Sequence, residues 1–293
     1  MPIRGFWLKA LIGANGAALM LAAAAAAGPL EDGVSAARTG DYKTALRLLA
    51  PLAATGTAAA QHELGILYRD GLGVARDYAR AAALFRGAAS QGHAPAQFAL
   101  GSLHYSGIGA APDLAAALAW FAKAAEQGHA DAQQALGSLY LTGNGLPKDA
   151  EKAAAWYRRA AEQHHAPAQF QLGRLYAQGL GVEKDEGEAL RWLRSSAYGG
   201  FADAQAAMGA IYAEGRGVPQ DPGEAEYWYR KAAEQGHGGA QFEIGRLLEN
   251  APAGRQDLAE AASWYRKAAE RGHAAAQYHL GVLLFTGLGL WLD

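Results

Sequence analysis

Apolar and small residues recur along this chain with a period of 36 residues. Each period contains a glycine that directly follows an aliphatic residue, and we use this register glycine to align the repeats. The register glycines are Gly65, Gly101, Gly137, Gly173, Gly209, Gly245 and Gly281. Each glycine has an alanine five residues before it and the aliphatic residue one before it, and in four repeats a tyrosine lies three residues after it. These positions are four residues apart, as on one face of a helix. The pattern predicts an amphipathic helix around each register glycine.

The register glycine itself indicates close packing. A glycine inside a helix costs about 1 kcal/mol relative to alanine. Its recurrence predicts that another helix backbone passes too close for a methyl group.

The same period predicts a second helix in each repeat. A Gly-x-Gly pair, such as Gly71 and Gly73, predicts the end of the first helix, because glycine readily adopts the left-handed conformation that closes helices. An aspartate twelve residues after the register glycine predicts the N-cap of the second helix. In three repeats a glutamate three residues later predicts a reciprocal cap on the aspartate N–H. These glutamates are Glu188, Glu224 and Glu260.

Tryptophan occurs at one position of the second helix in five repeats. A tryptophan that recurs in register predicts a core residue, and we favour this over a carbohydrate-binding platform. The five residues are Trp120, Trp156, Trp192, Trp228 and Trp264.

A fixed period of this length is typical of stacked-repeat proteins. Valine and isoleucine are scarce and no run alternates with period two, so we predict an all-α fold, a right-handed α-α superhelix of 36-residue helix-turn-helix repeats. We expect a capping helix pair over residues 28–60, six complete repeats over 61–276 and an incomplete seventh repeat over 277–293.

Residues 1–27 differ from the repeats. Arg4 and Lys9 precede an uncharged, alanine-rich stretch that ends in Ala25, Ala26 and Ala27, which predicts a cleaved secretory signal peptide. We therefore expect a periplasmic or secreted bacterial protein with no integral membrane segment after cleavage. The alternative is a protein anchored in the membrane by an uncleaved N-terminal segment.

Composition and charge narrow the function classes. The chain has no cysteine, which excludes disulfides and thiolate metal sites. A net charge of −2 without a basic stripe argues against nucleic acid as a partner.

Candidate chemistry is sparse. Five of nine histidines share one repeat position, and neighbours in such a row lie roughly 15–20 Å apart, too far to share a metal ion. No Ser-x-x-Lys or Gly-x-Ser-x-Gly sequence occurs. We predict no catalytic residue, no metal and no cofactor.

The residues also resemble a known family. The pattern Ala-Gln-x-x-Leu-Gly-x-Leu-Tyr-x-x-Gly-x-Gly-Val-x-x-Asp, followed by Ala-x-x-Trp-Tyr-x-Lys-Ala-Ala-Glu-Gln-Gly-His, resembles the Sel1-like repeat, a relative of the tetratricopeptide repeat. The resemblance implies an adaptor or scaffold in signalling, envelope stress, secretion or host interaction. Some cysteine-rich relatives have been associated with penicillin binding or β-lactam hydrolysis, but their cysteines are absent here.

One face of the first helices is a candidate binding surface. Positions three before, one after and four after the register glycine vary between repeats while the core positions barely change. In related helical-repeat solenoids the first helices line the concave side, so the resemblance places this face there. The predicted protein-binding residues are Phe98, Ser102, Tyr105, Phe170, Arg174, Phe242, Arg246 and Tyr278. The alternative is that the phenylalanines pack against the preceding second helix.

The sequence thus predicts an exported, non-enzymatic adaptor or scaffold that binds a protein or peptide partner. Two other hypotheses are an envelope hydrolase or glycan-binding protein, and a passive structural rod. Val282, Leu284, Phe285, Leu290 and Trp291 also give the C-terminal repeat an apolar surface. We expect this end either to self-associate or to belong to a longer natural chain.

Overall fold

The computed structural model describes residues 28–251 and 256–287, which form fifteen α-helices and no strand. The first pair, α1 and α2, is followed by alternating first helices (odd numbers from α3) and second helices (even numbers from α4). Their bounds are α1 Pro29–Arg38, α2 Tyr42–Ala54, α3 Ala58–Asp70, α4 Tyr78–Ser90, α5 Ala94–Ser106, α6 Leu114–Glu126, α7 Ala130–Thr142, α8 Ala150–Glu162, α9 Ala166–Gln178, α10 Glu186–Tyr198, α11 Ala202–Glu214, α12 Pro222–Glu234, α13 Gly238–Glu249, α14 Leu258–Glu270 and α15 Ala274–Thr286.

Two sequence predictions concern residues that the structure does not describe. The predicted signal peptide, residues 1–27, lies outside the described residues, as do Leu290 and Trp291. Within residues 28–251 and 256–287, none of the helices combines the length and apolarity needed to cross a membrane.

The helices form two compact units, one ending at Asp113 and one beginning at Leu114. In the first unit consecutive helices between α1 and α5 pack on each other. In the second unit the same holds for consecutive helices between α6 and α15. The all-α prediction is confirmed.

The predicted helix ends are confirmed at most repeats. Gly143 ends α7 with φ of 76°, a left-handed conformation that side chains rarely adopt. His164 adopts the same conformation (φ 61°) at the end of α8, where other repeats have glycine.

The register glycines face side chains more than backbone, so our expectation of a passing helix backbone was wrong for most of them. A Cβ atom on Gly137 would lie 2.8 Å from the ring of Tyr157, and one on Gly209 would lie 2.6 Å from the ring of Tyr229. Gly173 is closer to the expectation, since its Cβ would lie 3.0 Å from the Ala189 carbonyl oxygen as well as 2.9 Å from Leu193. At Gly65, Gly137, Gly209 and Gly245 an aromatic ring from the second helix therefore occupies the space that a methyl group would need.

The aspartate N-caps are confirmed at Asp77, Asp149, Asp185, Asp221 and Asp257, but the reciprocal glutamate caps are not. Asp221 Oδ1 accepts the backbone N–H of Glu224 at 3.0 Å. The Asp221 N–H, however, donates to the Tyr212 carbonyl at the end of the preceding first helix (3.0 Å). The Glu224 carboxylate instead accepts the indole N–H of Trp228 at 3.0 Å. Glu188 and Glu260 bind Trp192 and Trp264 in the same way.

Tryptophan burial agrees with the core prediction only in part. Trp192, Trp228 and Trp264 are buried, but Trp120 and Trp156 are half-buried. The rings of these two are covered by Lys123 and Arg159, whose cationic groups lie 4.4 and 4.6 Å from the ring centroids. The deeper core position is the next residue, such as Tyr157, which is 1% exposed.

Candidate protein-binding face

The eight predicted binding residues lie on four first helices. We call this surface the first-helix face, and each unit carries a part of it. Phe98, Ser102 and Tyr105 lie on α5 in the first unit. Phe170 and Arg174 lie on α9, Phe242 and Arg246 on α13, and Tyr278 on α15 in the second unit.

In the first unit, Ser102 lines a cavity of about 390 Å³ between α3 and α5. Arg69 and Asp70 from α3 lie in the same lining, and the two side chains pair at 2.7 Å. The hydrogen bond from Arg69 lowers the pKa of Asp70, so this wall of the cavity keeps an ion pair. Ser102 Oγ donates to the Phe98 carbonyl at 2.9 Å.

Tyr105 and Phe98 differ in accessibility. Tyr105 is 42% exposed, whereas Phe98 is half-buried. Ile108, which follows α5 in the cavity lining, is also exposed, so the surface between α3 and α5 offers both apolar and charged contacts.

In the second unit, the α9 part of the face combines a phenyl ring with a cation. The half-buried Phe170 ring lies 5.4 Å from the ring of Phe201, which begins α11. Arg174 is exposed, and its guanidinium lies 5.8 Å from the Phe170 ring centroid. The ring is therefore anchored on one side, while the guanidinium remains accessible to a ligand.

Phe242 on α13 packs against the helices that follow it. Its ring stacks on His273 with centroids 4.7 Å apart, and it lies 5.8 Å from the ring of Tyr265 on α14. Arg246 is exposed and pairs with Glu243 at 2.8 Å. Tyr278 on α15 is 69% exposed.

Glu249 belongs to this face but was not among the predicted site residues. It lies four residues after a register glycine, and this register position is the signal that could have identified it. Its Oε2 accepts the Tyr265 hydroxyl at 2.6 Å and contacts His279 Nδ1 at 2.9 Å. Burial and, next, the hydrogen bond to Glu249 raise the pKa of Tyr265, so the phenol stays protonated. The cluster thus fixes α13, α14 and α15 together beneath the exposed Tyr278 and Arg246.

The recurrent histidines begin helices. In each case Nδ1 accepts the backbone N–H three residues on, at 3.0–3.4 Å. These N-caps are His93, His129, His165, His237 and His273. Since the Nδ1 lone pair is used, the ring proton lies on Nε2, and in His165 this nitrogen reaches Asp131 Oδ1 at 3.0 Å.

The described residues contain no group of three or more histidines and carboxylates that could hold a metal ion. What the first-helix face offers is accessible tyrosine and arginine on anchored helices. Aromatic and arginine side chains are enriched among the residues that dominate protein–protein binding.

Comparison with known proteins shows a match along most of the chain. The Sel1 repeat family model matches seven consecutive segments, residues 58–93, 94–129, 130–165, 166–201, 202–237, 239–273 and 274–290. A Sel1 repeat protein from Oxalobacter formigenes is 36% identical with a TM-score of 0.77, and the match covers 83% of this chain and 99% of that one.

A second similar structure is a protective antigen present in uropathogenic Escherichia coli strains, which displays an SLR fold. It is 35% identical with a TM-score of 0.70, and the match covers 87% of this chain. The chain spans 59% of the length of that antigen. None of the curated proteins matches the chain significantly.

Proposed function

The chain belongs to the Sel1 repeat family, and on that premise we propose that it is an exported adaptor that binds a protein or peptide segment on the first-helix face. Sel1 repeats generally mediate protein interactions, and proteins built from them are typically non-catalytic scaffolds. The family therefore supports the class of function, and the side chains of this chain support the particular surface.

The observation that carries the proposal is the accessibility of Tyr105, Arg174 and Tyr278. All three are exposed, although neighbouring residues on the same helices are fully buried in the repeat core. A rigid helix that presents an accessible ring or guanidinium loses little conformational entropy on binding. Within the second unit, an extended peptide or a helix laid across α9 to α15 would contact Arg174 and Tyr278.

Export rests on residues 1–27, with two cations followed by an uncharged alanine-rich stretch. One of the similar structures is a protective antigen present in uropathogenic Escherichia coli strains. We therefore propose a periplasmic or secreted location.

The test uses exposed residues, so that the variants fold. Tyr278→Ala with Arg174→Ala removes an aromatic ring and a cation from the first-helix face. Tyr227→Ala with Arg266→Ala removes the same residue types from exposed positions on the second helices α12 and α14. Both variants and the parent are used in affinity capture from an envelope extract, and the affinity of the captured protein is then measured with purified components.

We expect the parent and the second-helix variant to bind the partner equally and the first-helix variant to lose at least about tenfold in affinity. Equal binding by both variants would place the interface elsewhere on the chain. Failure of the parent to retain any specific partner would contradict the adaptor function itself.

A further inference from the structure

A buried glutamine links each first helix from α5 to α13 to the second helix before it. Its Nε2 donates to a backbone carbonyl eight residues earlier, at 3.0–3.2 Å. These glutamines are Gln97, Gln133, Gln169, Gln205 and Gln241, each no more than 6% exposed. The amide nitrogen of each is thus satisfied in the same way.

The amide oxygen of the glutamine at this position, Gln61 on α3 included, can be satisfied within its own repeat. In three repeats it accepts from the carboxamide of a glutamine thirty residues further on, at the end of the next second helix. The pairs are Gln91 to Gln61 (3.1 Å), Gln163 to Gln133 (2.7 Å) and Gln235 to Gln205 (2.7 Å). A neutral carboxamide is therefore the group that fits beside this oxygen.

Gln241 departs from this arrangement. It is 3% exposed, and its Oε1 has no hydrogen-bond partner in the part of the chain that the structure describes. The residue thirty positions later is Arg271, whose Nη1 donates to the Gly236 carbonyl at 2.8 Å instead. Buried polar atoms are rarely left unpaired in folded proteins, so an unpaired acceptor in this position requires an explanation.

The unpaired side chain lines a cavity of about 410 Å³. Other residues of the lining are Glu234, Gln235, Trp264, Lys267, Glu270 and Arg271. Two cations and two carboxylates balance each other in this lining, which favours a neutral polar ligand over an ion. Lys267 Nζ lies 3.9 Å from the Trp264 ring centroid, so both a polar and an aromatic wall are present.

We propose that this cavity binds the side-chain carboxamide of an asparagine or glutamine in a partner segment. The ligand amide would donate to Gln241 Oε1, as a glutamine of the chain itself does in three other repeats. An exposed arginine, Arg271, must move aside to admit it. A carboxylate of the same shape has no proton to donate, so the site discriminates glutamine from glutamate. None of the lining residues belongs to the first-helix face, so this site is independent of the function proposed above.

The test compares two amino acids with blocked, uncharged termini, N-acetyl-glutamine methylamide and N-acetyl-glutamate methylamide. They differ only in the side-chain carboxamide or carboxylate. Each is titrated into the ¹⁵N-labelled full chain, and the indole N–H resonance of Trp264, assigned with Trp264→Phe, reports binding. We expect a saturable shift with the glutamine probe and at least about tenfold weaker binding of the glutamate probe.

Two variants distinguish binding in the cavity from an effect of the changed charge alone. Arg271→Gln supplies the missing carboxamide from within the chain, so it should abolish the shift and raise the melting temperature. Arg266→Gln makes the same charge change on the exposed side of α14, outside the cavity, and should leave binding unchanged. Absence of a shift in the parent, equal binding of both probes, or undiminished binding by Arg271→Gln would each overturn the proposal.

Discussion

The register glycine sets how closely the two helices of a repeat approach each other. A Cβ atom on Gly245 would lie 2.7 Å from the Tyr265 ring, and the ring itself is fully buried. The neighbouring ring cannot move without disturbing Phe242 and Glu249, which it contacts. A single missing methyl group is thus what allows the aromatic residue into the core.

The first prediction compares two register glycines with different surroundings. Gly245→Ala should destabilise the protein by about 1–3 kcal/mol, the usual cost of overpacking a core. Gly281→Ala should instead stabilise it by about 0.5–1 kcal/mol, because alanine has the higher helix propensity and no described atom lies within 4 Å of its Cβ. Urea denaturation of both variants measures the difference, and a stability change of the same sign in both would contradict this explanation.

Tyr229 provides a second prediction, from its ionisation. Burial is the main cause that raises the pKa of Tyr229 from 10.0 to about 12. A raised pKa means that the folded state favours the neutral phenol, so its contribution to stability is complete below pH 10 and is lost as the pH rises towards 12. Tyr229→Phe should therefore lose less stability than the parent between pH 10 and about pH 12. Tyr227→Phe, which removes an exposed tyrosine of the same helix, is the control, and identical pH profiles for the two variants would refute the expectation.

The helix boundaries could be predicted from sequence, because their signals are local. Asp221 caps α12 through an N–H three residues away, and Gly143 ends α7 through its own backbone conformation. The partner of Glu224 could not be predicted in the same way. Glu224 was expected to bind the Asp221 N–H, but this N–H donates to the Tyr212 carbonyl in the preceding helix. That hydrogen bond forms only when the two helices pack together, so it has no local sequence signal.

A third prediction tests the role that Glu224 has instead. Glu224→Gln keeps an acceptor for the Trp228 indole N–H and should change the free energy of unfolding by less than about 0.5 kcal/mol. Glu224→Ala leaves a donor of a buried tryptophan unpaired and should cost about 1–2 kcal/mol. Denaturant unfolding followed by tryptophan fluorescence measures both, and equal losses would show that the charge at the helix start matters rather than the hydrogen bond.

The histidine caps join neighbouring repeats, and they give a fourth prediction. His165 donates to Asp131 in the preceding repeat, and this hydrogen bond is the first cause that lowers the pKa of Asp131. Because the pKa of this carboxyl group is lower in the folded state, its carboxylate stabilises the fold at pH values above the pKa that it has in the unfolded chain. This contribution is lost as the pH falls through the pKa of the folded state.

Asp131→Asn should therefore be less stable than the parent at pH 7, and the difference should disappear in acid, near or below about pH 3. Thermal unfolding over this pH range measures it. Glu183→Gln removes an exposed loop carboxylate as the control and should not show the same convergence.

The binding residues were harder to predict than the repeats. The position of a residue relative to the register glycine was enough to separate exposed residues such as Arg174 from core residues such as Leu172. This is because burial along an amphipathic helix follows the helical period. Register did not reveal that Phe242 stacks on His273 or that Gln241 lacks the partner found in other repeats. Both depend on which residue stands at or just after the end of the following second helix, so they follow from differences between repeats rather than from their common pattern.

In a stacked-repeat protein each repeat contacts only its neighbours, so stability is expected to be a sum of local terms. In the second unit each helix packs mainly on the next one along the chain. A defect at one register glycine should therefore weaken nearby helices more than distant ones of the same unit.

The last prediction follows from this locality. Gly245→Ala should increase amide hydrogen exchange in α13, α14 and α15, where Tyr265, Glu249 and His279 connect the three helices. Exchange in α6, α7 and α8 of the same unit should change far less, because no core residue is shared between the two groups of helices. Mass spectrometry of exchange in the parent and the variant measures both regions at once. Equal loss of protection in both regions would show that the second unit unfolds as one cooperative body, and the additive description of its repeats would then fail.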